Sequence, residues 1–587
     1  MTTSSVRVNG TGSQELGRPP TRHRAVRPPS RFWPAAIAVV VPTALVGAHG
    51  WLYGRWIVDD AAITFAYARS IAAGAGPVLQ VGAPPVEGYS NPAWMALHVL
   101  GSWLGLFDRG TWFGVPDYVA FPKALALVLV AVMFAGFYRV ARAVVARPAL
   151  VTVIAGVLVA ATPSFVIWVL SGLENSLLVA VAVWLVALMV PAIASDQIAD
   201  RYSGATEDGL LGTRLAVWCG LLAAVAALTR PDGVIYAGAF PLVAIVLMRR
   251  GQIGRTAAAV AISCVAFVVP FGAYLVWRVA TFGEWLPNTA IAKGQQAPTW
   301  EAFAQPVELG TYAGWPVIGA AAVVVVAAFV LGGPLRRPMV AVLVPFVLAV
   351  AAFTILQADW MVQLRFATPV WALGALLTVL SAAQLAAAFW SGRRLLTAAG
   401  VVVLGAAAVS SAPAMWEASV EFTDDPTIGV CVVTEHSGRM VNSYAAALGL
   451  PNAAAPNPSV LAPDLGGSAM ASKLRLVDLA GLADAQIARF WASENYPAFA
   501  DHIYDVVKPT FIKAHEFWFS EPGLDEDPRL ERDYVEIASH GSFTDYVRRD
   551  AITDQAKLDA LKVLAETQLV PAVEQVWSLD SCGDRLE

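Results

Sequence analysis

Long apolar runs broken by short polar stretches dominate residues 33 to 415. Runs close to the ~20 residues that a bilayer requires predict helices at 33–53, 119–138, 149–169, 176–194, 214–229, 233–248, 256–280, 312–333, 339–357, 366–388 and 395–415. Eleven spans are expected. One further apolar stretch, PAWMALHVLGSWLGLF (Pro92–Phe107), has 16 residues and is too short to cross comfortably, so it is expected to lie along the membrane surface. Beyond residue 416 the pattern becomes that of an ordinary soluble segment, read as a C-terminal mixed α/β domain over 416–587. The chain therefore divides into a basic tail (1–32), a transmembrane domain (33–415) and this soluble domain.

Charge placement orients the spans. The tail carries Arg7, Arg18, Arg22, Arg24, Arg27 and Arg31 among Ser, Thr, Gly and Pro, and reads as a disordered basic segment before a signal anchor. With Pro92–Phe107 on the surface, the tail shares the cytoplasmic side with Arg139, Arg142 and Arg147, with Arg249, Arg250 and Arg255, with Arg336 and Arg337, and with Arg393 and Arg394. If that segment crossed, every later cluster would move outside, against the positive-inside rule. The expected protein is a multi-pass plasma-membrane protein with its N-terminus cytoplasmic, a first external loop over 55–118 and its C-terminal domain outside.

Composition agrees with that class. The 587 residues are 57% hydrophobic and 14% charged, against about 25% charged in soluble domains. The net charge of −5 says little about partners, and no nucleic-acid motif is present. Four cysteines form neither a metal cluster nor a dense disulfide scaffold. Cys431 and Cys582 fall in the external domain, where an oxidising compartment would permit a bridge between them.

Chemistry gathers on the outer side. WIVDDAAITFAYARS (Trp56–Ser70) places Asp59 and Asp60 just after the first span. An Asp pair can simply begin a helix, since carboxylates suit its N-terminus. One cap needs one carboxylate, however, and the following GAGPVLQVGAPPVEGYSNPAW (Gly74–Trp94) is an irregular stretch carrying Glu87, Tyr89 and Asn91. Irregular backbone beside a bilayer implies a protein-lined or watered cavity. Two close carboxylates can supply a general base or hold a divalent cation, and the residues leave that choice open. Arg230, Lys293, Arg365 and Lys123 stand at the outer membrane edge, where single cations commonly snorkel. Four on the aspartate side point instead to an anion such as a lipid-linked phosphate, with Asp232, Glu284 and Asp359 available to hold them. Glu174 in SGLEN can cap the next helix, and His98 is read as a packed histidine. The aromatic-rich stretch Phe490–Ser520 is read mostly as core, with a minority of rings able to stack on sugars.

The Asp pair followed by EGYSNPAW, SGLEN, LTRPDG, GEWLPNTAIAK and DWMVQLRF resembles the multi-span GT-C glycosyltransferases, particularly the arabinofuranosyltransferases of actinobacterial cell-wall arabinan. PDLGGSAMASKLRLVDLAGLAD (Pro463–Asp484) resembles the start of the external domain in that group. The resemblance implies inverting transfer from a polyprenyl-phosphate sugar to an envelope polysaccharide or glycolipid on the outer face. It implies Asp59 or Asp60 as base, and Arg365, Lys293, Arg230 and Lys123 around the donor phosphate. Glu87, Tyr89, Asn91, Glu174, Asn288, Asp359 and Trp360 would contact sugar or acceptor. Ala61 stands where arabinan-terminating relatives tend to carry Gly, so both arabinofuranose and mannose stay open. The rival readings are a flippase for lipid-linked sugars, which would place ionisable groups near the midplane, and a glycan-binding scaffold with no use for the acids.

Overall fold

The computed structural model describes residues 32–202, 209–294, 300–331, 333, 335–356, 360–390 and 394–576. The basic tail through Arg31, Asp359, Arg393 and Cys582 lie outside the described residues.

Among the described residues six helices are long and apolar enough to cross a membrane: Phe32–Tyr53, Asp117–Val144, Asn175–Gln197, Arg250–Phe282, Arg336–Ile355 and Arg365–Ala387. Two bent pairs raise the number to eight if each is one span, and Thr213–Thr229 and Pro231–Val246 are shorter apolar helices. A further helix occupies Arg394–Asp424. The straight spans expected at 149–169 and 312–333 are therefore each broken. Pro148–Ala160 and Pro163–Val169 meet at 84°. Pro163 has no N–H to continue the helical ladder, and it holds Thr162 in extended backbone at φ −91°, ψ 108°. Ala302–Ala313 and Trp315–Leu331 meet at 105°, turning at Gly314, whose φ of +87° is open to glycine.

Pro92–Trp103 is a helix of only 12 residues, about 18 Å long against the ~30 Å of hydrocarbon, so it does not span. It leads to a two-residue-per-strand hairpin, β1 (Thr111–Trp112) with β2 (Val115–Pro116). The Asn175–Tyr202 helix forms the centre of the helical core, with Leu178, Val179, Ala182, Val183 and Val186 buried. Outer helices show the opposite pattern. Val265, Val268, Val269 and Val276 on Ile253–Phe282 are exposed, as side chains facing lipid would be.

The C-terminal region is built on a five-stranded mixed sheet in the order β4-β3-β5-β7-β6. These strands are β3 (Ser459–Ala462), β4 (Arg475–Asp478), β5 (Phe511–His515), β6 (Tyr534–His540) and β7 (Phe543–Arg548). β3 runs parallel to β4 and β5, whereas β7 pairs antiparallel with β5 and β6. In β7 burial alternates strictly, with Phe543, Asp545 and Val547 inward. Register sets Lys513 opposite Asp545 and His515 opposite Phe543. One face of the sheet thus carries charged and imidazole groups in its interior. The aromatic stretch is mainly core as expected: Phe499, Tyr504, Phe511 and Phe519 are buried, and Trp491 donates to the Leu479 carbonyl at 2.8 Å.

Candidate functional site

Asp59 and Asp60 open the helix Asp59–Ala72, but the N-cap is Val58. Asp59 does not cap its own helix. Its Oδ2 accepts the Gly466 N–H at 2.9 Å and its Oδ1 the Gly467 N–H at 2.7 Å, both from the C-terminal region. The backbone on either side is held equally firmly. Val58 donates to the Ser171 carbonyl, Asp59 to that of Ile428, and Val430 returns a bond to Ile57. Trp56 donates its indole N–H to the Thr427 carbonyl at 2.8 Å. Gly466 and Gly467 are needed for this approach: a Cβ on the first would sit 1.9 Å from the Asp59 carbonyl oxygen, and one on the second 2.4 Å from the Thr434 nitrogen.

The two carboxylates consequently differ. Asp59 is 4% exposed, and burial, reinforced by the charge of Asp464, raises its pKa well above the ordinary carboxylate range. Asp60 is half-buried and is the more accessible member of the pair. Asp464 is a third carboxyl in this cluster. Burial and the neighbouring Asp60 charge push it up to about 7. Its Oδ2 is buried without a hydrogen-bond partner, 3.9 Å from His515 Nδ1. Asp464, Gly466 and Gly467 were not singled out by the sequence; the only signal was the PDLGG wording in the C-terminal region.

A polar chain leads from the aspartate helix to the arginines. Thr64 donates to Asn91 Oδ1 at 3.0 Å, and Asn91 Nδ2 donates to Glu174 Oε2 at 2.8 Å. Glu174 lies 3.8 Å from Arg230 Nε, which donates to Asp232 at 2.9 Å. The Arg230 and Arg365 guanidinium carbons stand 4.4 and 4.7 Å from the centre of one ring, Phe366. Arg230 is buried, and its Nη1 has no hydrogen-bond partner. Asn175 steadies the Arg365 turn by donating to the Arg365 carbonyl at 2.9 Å. Two arginines far apart in the sequence thus meet at one aromatic ring.

The remaining candidates divide. Glu87 is committed to Arg278, whose Nη2 donates at 3.2 Å, and to the Tyr274 hydroxyl. Arg278 was not anticipated, although one arginine inside the apolar run 256–280 is a signal in itself. Tyr89 is buried, packed edge-on against Tyr67, and its hydroxyl has no hydrogen-bond partner. Asn288 ties the loop to the C-terminal region by donating to the carbonyls of Gly481 and Leu482 at 2.7 and 2.9 Å. Lys293 is exposed at the end of Asn288–Ala292, and Trp360 is 60% exposed. Lys123 is half-buried in Asp117–Val144, and its side chain has no hydrogen bond or ion pair among the described residues. Glu284 pairs with Arg489 rather than with any of the four cations. His98 is a packed histidine, its ring among Phe65, Trp94, Phe107 and Phe121. Cys431 is disulfide-bonded.

No protein-family model matches the sequence, and no curated protein matches it. Solved structures do. The chain is similar to ArnT from Cupriavidus metallidurans, with TM-score 0.53 and 15% identity over 88% of this chain and 98% of that one. It is also similar to the oligosaccharyltransferase AglB from Archaeoglobus fulgidus, solved with an inhibitory peptide and a dolichol-phosphate, at TM-score 0.48 and 12% identity over 88% and 74%. Arabinofuranosyltransferase AftD from mycobacteria gives 0.47 and 15%, over 88% of this chain and 40% of that one. These neighbours are GT-C glycosyltransferases, and the likeness to ArnT, which runs almost the full length of that chain, gives this protein the GT-C fold.

Proposed function

We propose that the protein is a membrane glycosyltransferase that moves a sugar from a polyprenyl-phosphate donor to an envelope glycan or glycolipid on the outer face. Arabinofuranose is favoured over mannose. The observation that carries this reading is the polar chain from Thr64, on the helix that Asp59 and Asp60 open, through Asn91 and Glu174 to Arg230, which shares the Phe366 ring with Arg365. A base and an anion site joined in this way suit a displacement whose leaving group is a phosphate.

In that reaction Asp60 takes the proton of the acceptor hydroxyl as its oxygen attacks the anomeric carbon. The bond from that carbon to the phosphate oxygen breaks, and polyprenyl phosphate departs with the bonding electrons. Single displacement inverts the centre. Arg230 and Arg365 offset the charge that grows on the phosphate, and Asp59 keeps Asp60 in register by anchoring the helix start to Gly466 and Gly467. Glu174 and Asp232 keep Arg230 extended.

The test is transfer in nanodiscs from polyprenyl-phosphate arabinose and polyprenyl-phosphate mannose, each with a short envelope-type oligosaccharide. Turnover with one donor, absent in Asp60→Asn while donor binding survives, is the expected result. A wild-type protein that carries donor across a vesicle membrane and transfers nothing would replace this reading with transport.

A further inference from the structure

Behind the aspartate cluster, in and against the C-terminal sheet, lie three histidines that the reaction above does not use: His436, His515 and His540. His436, in the π-helical segment Thr434–Arg439, faces the β6–β7 hairpin, which contributes His540 and Asp545. One ligand atom from each of these three lies within 4.8 Å of the other two. His540 Nε2 and Asp545 Oδ2 are 3.4 Å apart, which matches the ~3.3 Å edge of a tetrahedron built on zinc–ligand bonds of about 2.0–2.1 Å. His436 is 2% exposed. Its Nδ1 is engaged with Ser437 at 2.9 Å, and its Nε2 is buried with no hydrogen-bond partner. A buried imidazole nitrogen without a partner ordinarily costs stability, and a ligand removes that cost.

We propose that His436, His540 and Asp545 form a binding site for a zinc-type divalent ion. The surroundings resemble those that orient metal ligands. Tyr444 donates to Asp545 Oδ2 at 2.7 Å, and Lys513 lies 2.6 Å from Oδ1, so the carboxylate is held in place by the kind of outer hydrogen bonding that ligands receive. Lys513 also decides the class of ion. Its charge already balances Asp545, which disfavours calcium and magnesium, because those bind through several oxygen ligands. Two imidazoles and one carboxylate instead suit zinc and its transition-metal neighbours.

The ion would act as a staple. It would join the hairpin to the helical segment whose Thr434 hydroxyl contacts the Gly467 carbonyl at 3.5 Å, and Gly467 in turn holds Asp59. Metal binding would therefore stiffen the support of the aspartate pair without touching substrate.

The experiment uses the full chain in detergent, stripped with chelator and then titrated separately with zinc, cobalt(II), calcium and magnesium. Wild type is expected to take up about one zinc per chain, to develop a cobalt absorption band and to gain several degrees of thermal stability, none of it with calcium or magnesium. His436→Asn and His540→Asn should each weaken binding by more than about tenfold, since losing even an outer hydrogen-bond partner of a ligand costs about that much. His515→Asn, which loses stacking on Phe543 and the approach to Asp464 but no ligand, should bind zinc as wild type does. Zinc K-edge absorption on wild type supplies a check that needs no variant, since it must count two imidazoles. A folded wild type with no saturable zinc site, a bound ion with any other imidazole count, or equal binding by the ligand variants would overturn the proposal.

Discussion

Two adjacent aspartates of identical chemistry have unlike roles because their surroundings differ. Asp59 spends both oxygens on backbone N–H groups, while Asp60 stays more accessible. Asp60→Asn should lower transfer by about 10²–10⁴, the usual contribution of a general base, with little change in melting temperature. Asp59→Asn should instead destabilise the fold by about 1–3 kcal/mol, because a buried N–H loses its acceptor. Parallel assays of turnover and thermal unfolding separate the two, and the reverse pattern would exchange the roles. Asp464 gives a pH prediction. In the folded protein it holds its proton up to about pH 7, against about pH 3.9 for a free Asp. Between those values the folded state keeps a proton that the unfolded chain has released, so stability falls as pH rises. Asp464→Asn removes that loss. Its melting temperature relative to wild type should be higher at pH 8 than at pH 5, and an equal difference at both would refute the assignment.

Among the elements, the short Gly466–Ala471 helix matters most, because its first residue has no room for a side chain against Asp59 and its second none against Val430 and Thr434. Gly466→Ala drives a Cβ into the Asp59 carbonyl and should cost about 1–3 kcal/mol or more, together with most of the transfer activity. Gly319→Ala, whose Cβ would meet nothing within 4 Å, is the control and should leave both nearly unchanged. Equal melting temperatures for the two variants would show that the contact is not tight. The helix breaks at Pro163 and Gly314 teach a different lesson. Both residues were visible in the sequence as punctuation, but hydropathy alone runs through them, since an apolar side chain is equally at home on either side of a bend.

Over the whole molecule, the site exists only because distant segments meet. The Arg230 helix end and the Arg365 turn converge on Phe366, and the C-terminal region closes over the start of the 55–118 loop through Thr427, Ile428, Gly466 and Gly467. Arg230→Lys keeps the charge but loses the planar stacking and the fork toward Asp232. The donor KM should rise about 2- to 30-fold, corresponding to about 0.5–2 kcal/mol for a cation–π contact. A donor titration that finds KM unchanged would remove Arg230 from the donor site.

The sequence by itself determined the class of protein, most of the apolar segments, the shortness of the stretch Pro92–Phe107 and the suspicion attached to Asp59, Asp60, Arg230 and Arg365. Each of these is legible because it depends on local quantities: the length of an apolar run, or the oddity of a charge beside one. Only the tertiary structure decided which aspartate is locked, that Glu87 belongs to Arg278, and that Asp464, Gly466 and Gly467 complete the cluster. Those contacts join residues that are in some cases more than 400 positions apart. A backbone N–H leaves no trace in a hydropathy pattern, and an ion pair can be chosen only once packing has brought its members within a few ångströms. Local pattern sets what each segment is; the folded chain sets what each residue meets.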